Sequence, residues 1–394
     1  MDTLGRFYTA DVVSKLLIQS LHTEFPDKII DLGVGNASLT LAAQKRWGKA
    51  SFFATEIEKA KVESIKNNLS FIKVFNYDSL KSNLSKTLKI KFGSIDVAIC
   101  NPPYIKVENP KKYLKLFKDA NCIDFIKLSR INSEIVFFAH NVFLLKNGGE
   151  LGIILSDTLM CSKDYQFFRS TLLNTFDVKK IIQLPDNIFS KTEARTYILI
   201  IRKTEPKSDN CKLYLSDNIG QLTIGLKVLK ADLIKRMDYT FFESQQSLEN
   251  QLPTFKDIGV KIIRGTRSYK ELKAGTDLFI HSVHLKQHSI LIDLHTNEDL
   301  HNHKLAQSGD ILMCRVGKRC VGRVVYINSG STIISDCLYM LKIPEQYRQI
   351  VWMSLLSRQG QLWLKTNAHG VCSQVISKCD LLEFPLFSFE QHEN

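Results

Sequence analysis

Ile95-Asp96-Val97-Ala98-Ile99-Cys100-Asn101-Pro102-Pro103-Tyr104 decides how the rest of the chain is read. The apolar run from Ile95 to Cys100 reads as a buried strand that stops abruptly at a polar residue and two prolines. Pro102 has no N–H, and Pro103 keeps the residue before it out of helix, so the turn is stiff and extended. Such a turn can hold the Asn101 amide and the Pro102 carbonyl at fixed points. Two converging acceptors suit an exocyclic amino group: they bind its hydrogens and aim the nitrogen lone pair at an electrophile. Tyr104 adds a flat face on which a planar base can stack. An ordinary strand-to-loop exit would use the same residues, so the tetrapeptide takes its meaning from what precedes it.

Upstream, a helical pattern through Val12, Val13, Leu16, Leu17 and Leu21 begins after Phe7-Tyr8-Thr9, with Thr9 or Asp11 placed to cap it. Lys28 to Leu32 then reads as a first strand entering the loop Gly33-Val34-Gly35-Asn36-Ala37. Its glycines let backbone approach a ligand closely, and Asp31 at the strand end can accept from a cationic or hydroxylic group. A second strand, Ser51 to Thr55, ends at Glu56, where α/β nucleoside-binding folds grip ribose hydroxyls. A third, Ile72 to Asn76, reaches Asp78, placed to accept from an adenine amino group. Four successive strand ends thus carry Asp31, Glu56, Asp78 and Asn101, and open α/β sheets bind ligands at the carboxyl ends of their strands. Taken singly, each acid reads equally well as a solvated helix cap.

The 394 residues are enough for two domains, and 44% hydrophobic with 24% charged residues is an ordinary globular composition. Lys and Arg number 53 against 40 Asp and Glu, a formal charge of +13 that suits a polyanionic partner. No apolar run is long enough to cross a bilayer, so no membrane partner is expected. Nine cysteines without a C-x-x-C pair, and no signal-peptide core, lead to the expectation of a reduced, cytoplasmic setting.

Phe7-Tyr8-Thr9, Asp31-Leu32-Gly33-Val34-Gly35, Glu56, Asp78 and Asn101-Pro102-Pro103-Tyr104 resemble, in order, the motifs of S-adenosylmethionine-dependent N6-adenine DNA methyltransferases. Cofactor motifs first, catalytic turn second and a long C-terminal region last is similar to the gamma group. The resemblance implies a Rossmann-like α/β sheet with helices on both faces and a catalytic site at Asn101, Pro102, Pro103 and Tyr104. It implies that Thr9, Asp31, Gly33 and Gly35, beside Asn101, hold the methionine end of S-adenosylmethionine, Glu56 its ribose and Asp78 its adenine. Ala37 departs from the pattern, since many members have a third glycine there. The implied partner is double-stranded DNA, and the implied role is modification in a restriction-modification system. The cofactor motifs begin almost at Met1, so the expectation is of no fused nuclease upstream, with a separate restriction endonuclease compatible. Amino-group methylation of RNA or of a protein glutamine by the same turn stays open.

Beyond the turn, a helix from Asn132 to Leu145 is expected to end at the glycine cap Asn147-Gly148-Gly149, followed by strands at 150–155, 178–184 and 196–201. In the family a loop like 185–190 carries an aromatic that meets the flipped base opposite the tyrosine. Phe189 matches it, and an apolar loop anchor is the competing reading. The polar break Glu205-Pro206-Lys207-Ser208-Asp209-Asn210 divides a catalytic domain, 1–205, from a connector and target-recognition domain, 206–394. That second part alternates short β patterns with glycine turns around Gly309, Gly317 and Gly322, a mixed α/β domain resembling the target-recognition domains of type I specificity subunits. Arg264, Arg267, Lys270, Arg315, Lys318, Arg319 and Arg323 crowd these turns and are candidates for phosphates or guanine edges. His281, His284, His288, His295, His301 and His303 lie near Cys314, Cys320 and Cys337 but lack ligand pairs at metal-site spacing, so no metal is expected.

Overall fold

A computed structural model describes residues 9–81, 84–128, 130–186, 188–189, 195–246, 252–275, 278–285, 291–294, 305–317, 319–369 and 374–387. The chain forms two compact units, one through Phe242 and one from Glu243. In the first, the elements run α1 (Asp11–Ser20), β1 (Lys28–Leu32), α2 (Ser38–Arg46), β2 (Ser51–Glu56), α3 (Lys59–Asn68), β3 (Ile72–Asn76), α4 (Leu84–Leu88) and β4 (Ile95–Cys100). They continue with α5 (Leu114–Asp119), α6 (Ser133–Leu144), β5 (Leu145–Ser156), α7 (Asp157–Cys161), α8 (Gln166–Thr175), β6 (Asp177–Gln183), β7 (Thr196–Arg202), β8 (Asn210–Leu215) and β9 (Leu226–Leu229).

The nine strands make one sheet in the order β3-β2-β1-β4-β5-β7-β6-β8-β9. β1 to β5 are parallel, and β7 is antiparallel to both its neighbours. The strand residues explain why both faces are covered. Ile29, Val97 and Ile99 join the apolar cluster that includes α1 and α2, while Ile30, Ala98 and Cys100 join the one that includes α5, α6 and α8. Side chains alternate across a strand, so two apolar sets of one strand require a helical layer on each side.

Three expectations are corrected here. The polar break at 205–210 is a loop within the first unit: β8 pairs in parallel with β6 and β9 with β8, extending the sheet past it. Cys211 and Leu213 are buried there and belong to the core, so the chain leaves this unit only near Phe242. α6 ends at Leu144, before the glycine pair, and its last carbonyls are capped by a lysine instead. Lys203 Nζ donates to the carbonyls of Val142 and Leu145 at 2.7 and 2.8 Å. α1, finally, has Ala10 at its N-cap, a side chain with no acceptor, while the Thr9 hydroxyl accepts from Asn101 Nδ2.

The second unit holds a five-stranded sheet, with β10 (Lys261–Arg264), β12 (Leu291–Asp293), β14 (Ile311–Cys314), β15 (Val324–Ser329) and β17 (Leu338–Lys342) in the order β10-β17-β14-β15-β12. A three-stranded sheet joins β11 (Phe279–Ile280), β13 (Ala306–Gln307) and β16 (Ser331–Ile334). Helices Arg348–Leu356 and Arg358–Asn367 contribute Val351, Leu355, Trp363 and Leu364 to its main core with Phe255 and Phe384.

Candidate active site

From β1 the chain proceeds outward to β2 and β3, then returns to β4 on the other side of β1. The carboxyl ends of β1 and β4 therefore flank the point where strand order reverses, which opens a crevice in folds of this kind. A cleft of about 890 Å³, counting its open mouth, lies there. Thr9, Asp31, Gly33, Gly35, Glu56, Asp78, Asn101, Pro102 and Pro103 all line it. Asp31, Glu56, Asp78 and Asn101 are thus brought together at or just beyond successive strand ends, and Thr9 joins them from the segment before α1.

The three acids are held differently. Asp31 is 2% exposed and accepts from Thr40 Oγ1 at 2.7 Å. Burial pushes its carboxyl up from 3.8 to about 7; Thr40 opposes the shift and nearby Glu56 adds to it. A buried carboxylate this costly to ionise is suited to receive a cation. Glu56 is also buried; its oxygens accept from Gly35 N and Glu58 N, each at 3.0 Å. Each oxygen retains a lone pair, which suits vicinal hydroxyls. Asp78 uses one oxygen on Leu80 N at 2.9 Å, and its remaining capacity suits an amino donor. Cation, hydroxyls and amino group are the three donors that the cofactor expected from the motifs presents.

The loop between β1 and α2 is shaped by close approach. Gly33 has φ +76°, and a Cβ added there would sit 3.3 Å from Phe137 Cε1 on α6. Ala37, the departure from the glycine pattern, adopts φ 61° and ψ 18°, the left-handed region, while 1% exposed. A third glycine in relatives relieves backbone as well as packing demands at such a position, and only the second was legible from the sequence.

At the turn, Asn101 Nδ2 donates to Thr9 Oγ1 at 2.9 Å, which leaves its Oδ1 on the side of Tyr104, whose hydroxyl approaches it at 3.5 Å. Thr9 therefore orients Asn101 besides lining the cleft. Burial pushes the Tyr104 phenol well above its ordinary range, with Glu134 and Cys100 adding to the effect, so it is a neutral ring at physiological pH. Phe189 is 3% exposed and packs in the cluster that contains Val13, Leu17 and Leu184. It is not among the residues lining the cleft.

Sequence reasoning missed Ile57, Tyr77, Leu80 and Phe137, which supply much of the apolar wall. Ile57 is 48% exposed directly after Glu56, and an exposed apolar residue next to a strand-end acid is the signal that would have found it.

In the second unit, three of the candidate basic residues meet at one end of the five-stranded sheet. β10 and β14 end where β15 and β17 begin, which places Arg264, Arg315 and Arg323 together although they span sixty positions. Arg264 pairs with Asp336 at 3.3 Å, Arg315 Nη1 donates to the Asp336 carbonyl at 3.2 Å, and the Arg267 carbonyl accepts from Asp336 N at 2.8 Å. Arg319 and Lys270 are exposed; Lys318 lies outside the described residues. Among the six nominated histidines, His281 and His284 are described, and His281 Nδ1 is 2.7 Å from Ser335 Oγ. Among the described residues, no group of three His, Cys, Asp or Glu side chains could hold a metal ion, and no helix is long and apolar enough to cross a membrane.

A family model described as N-6 DNA Methylase matches residues 2–255. The type I restriction enzyme MpnII methylase subunit of Mycoplasma pneumoniae is 25% identical over 224 residues, 52% of this chain and 41% of that protein. The type II methyltransferase M.BsuBI of Bacillus subtilis is 26% identical over 200 residues, 45% of this chain and 38% of that protein. The chain spans about two fifths of the length of these relatives. Among solved structures, the type IIG restriction endonuclease BpuSI aligns with a TM-score of 0.56 at 12% identity, covering 100% of this chain and 60% of that one, a likeness of fold.

Proposed function

The chain belongs to the N-6 DNA methylase family, and on that premise we propose that it methylates N6 of adenine at a short site in duplex DNA, using S-adenosylmethionine, as the modification enzyme of a restriction-modification system. One observation carries the reading: a single cleft at the point of strand reversal is lined by a desolvated carboxylate, a second acid with free lone pairs, and the Asn-Pro-Pro turn. When bound there, S-adenosylmethionine supplies a methyl group activated by a positively charged sulfur. Asp31 would hold the cationic methionine end, Glu56 the ribose hydroxyls and Asp78 the adenine amino group. Asn101 Oδ1 and the Pro102 carbonyl would accept the two hydrogens of the target amino group, whose lone pair is otherwise delocalised into the ring. Catalysis on this reading is positioning plus electrostatics.

The adenine must leave the duplex to reach the turn, at a cost of a few kcal/mol that stacking on Tyr104 offsets. Phe189 can meet the opposite face of the base only if its loop leaves the packing described above. The order of motifs supports assignment to the gamma group. For the second unit we propose target recognition in the manner of type I specificity subunits, with Arg264, Arg267, Arg315, Lys318, Arg319 and Arg323 on phosphates and guanine edges. A separate endonuclease is the proposed protein partner.

The test is modification-detecting sequencing of DNA from cells devoid of N6-methyladenine that express the chain. The expected result is methylated adenine at one short motif. Unmodified DNA alongside methylated ribosomal RNA or protein glutamine would move the substrate to one of those classes.

A further inference from the structure

Thirty positions after the catalytic turn, one side chain holds it from behind. Ser133, the first residue of α6, is fully buried, and its hydroxyl donates to the Pro103 carbonyl. The same oxygen accepts from Ile105 N at 3.1 Å, and Ser133 N donates to the Ile105 carbonyl at 3.0 Å. One residue therefore bonds the peptide groups on both sides of Tyr104. The need is set by the sequence. Pro102 and Pro103 carry no N–H, so the turn offers few donors through which the rest of the protein can grip it.

The clamp is itself anchored. Asn132 Oδ1 caps α6 by accepting from Ile135 N at 3.2 Å, and its Nδ2 donates to Glu134 Oε2 at 2.7 Å. Glu134, 1% exposed, accepts from Ser156 N at 2.7 Å and from Ser156 Oγ at 3.0 Å. Ser156 ends β5, the parallel neighbour of β4, so Asn132-Ser133-Glu134 fastens the turn to the adjacent strand end. Ser133 is not among the residues lining the cofactor cleft.

We propose that Ser133 is a positioning residue that acts through Tyr104, fixing the ring on which the extruded adenine stacks. This rests on the functional reading above. A free Tyr104 backbone would let the ring turn away and weaken the transition state for methyl transfer, while leaving the cofactor's own contacts in place.

The test is a double-mutant cycle on the full chain with site-bearing duplex, reading kcat/KM for DNA, cofactor Kd and 2-aminopurine fluorescence at the target base. Ser133→Ala removes both hydroxyl bonds, to the Pro103 carbonyl and from Ile105 N, and is expected to lower kcat/KM about tenfold, with cofactor Kd within twofold. In the Tyr104→Ala background the same substitution is expected to cost nothing further. Ser133→Cys keeps the shape with a weaker donor and is expected to fall between the two, which also covers an Ala variant that folds poorly. Multiplicative effects of Ser133→Ala and Tyr104→Ala, or a Cys variant at wild-type activity, overturn the proposal. A wild-type protein that methylates no adenine overturns instead the functional reading on which it rests.

Discussion

Asp31→Asn separates stability from binding at one buried atom pair. The carboxyl is desolvated and its folded pKa is about 7 against 3.8 for the free group. Below pH 4 both folded and unfolded chains carry the proton there, and the shift has no effect. Between pH 4 and 7 the folded state binds more protons than the unfolded one, so wild-type stability falls as pH rises, and it levels off above pH 7. At about 1.4 kcal/mol per pH unit, the full ionisation cost is at most about 4 kcal/mol, and relaxation around the site makes about 2–4 kcal/mol the expected range. Asparagine is nearly isosteric and can still accept from Thr40, so the variant is expected to match wild type at pH 4 and exceed it by that amount at pH 8. Cofactor binding moves oppositely. A cationic ligand favours the ionised carboxylate, so wild-type affinity rises from pH 5.5 to about 7 and then flattens, while the variant binds at least tenfold more weakly without that slope. Urea unfolding and calorimetric titration across this range measure both. Equal stability of the two proteins at pH 8 and a cofactor affinity independent of pH would refute a desolvated, cation-receiving Asp31.

Other expectations follow from packing. Ala37→Gly exchanges relief of a left-handed alanine for loss of a buried methyl and gained chain entropy, so stability changes by less than about 1 kcal/mol, whereas Ala37→Val costs about 2–3 kcal/mol in urea unfolding. Glu150 is fully buried; burial raises its pKa, but donation from Thr23, His22 and Arg202 outweighs this and leaves it lowered. It therefore stabilises the fold above the ordinary carboxylate range, a contribution lost as pH falls through the lowered value, and Glu150→Gln should destabilise the protein at pH 7 by an amount that shrinks as pH falls through that value, read by urea unfolding at the two ends of the range. Phe189→Ala should cost about 3–4 kcal/mol, as for a core phenylalanine, and a loss below about 1 kcal/mol would show a ring free to leave its packing and meet a base.

The parts legible in the sequence are those written locally. Strands announce themselves as apolar runs, and an acid or asparagine at each run's end is visible without knowing the sheet order. The set Asp31, Glu56, Asp78 and Asn101 was therefore found before the cleft that unites them. Hidden parts depend on distant partners. Lys203 caps α6 from β7's far end, and nothing around Gly148-Gly149 reveals it. β8 and β9 were separated from the sheet because a polar loop between two strands looks like one between two domains. Thr9 appeared as a helix cap or a cofactor ligand, and its bond to Asn101 bridges residues from different elements. Ser133 carries no signal at all, since a serine beginning a helix is ordinary until the turn it grips is seen.

The chemistry itself is tested most directly at Asn101. Purified wild type and Asn101→Ala are incubated with site-bearing duplex and S-adenosylmethionine carrying a trideuterated methyl group, and the digested nucleosides are weighed by mass spectrometry beside a cofactor titration. Wild type is expected to yield trideuterated N6-methyladenine, and the variant none while binding cofactor within a few-fold, because the proposed role of the amide is on the target amino group and not on the cofactor. Labelled N6-methyladenine from Asn101→Ala at a near-normal rate would contradict the assignment of the turn as the site of methyl transfer.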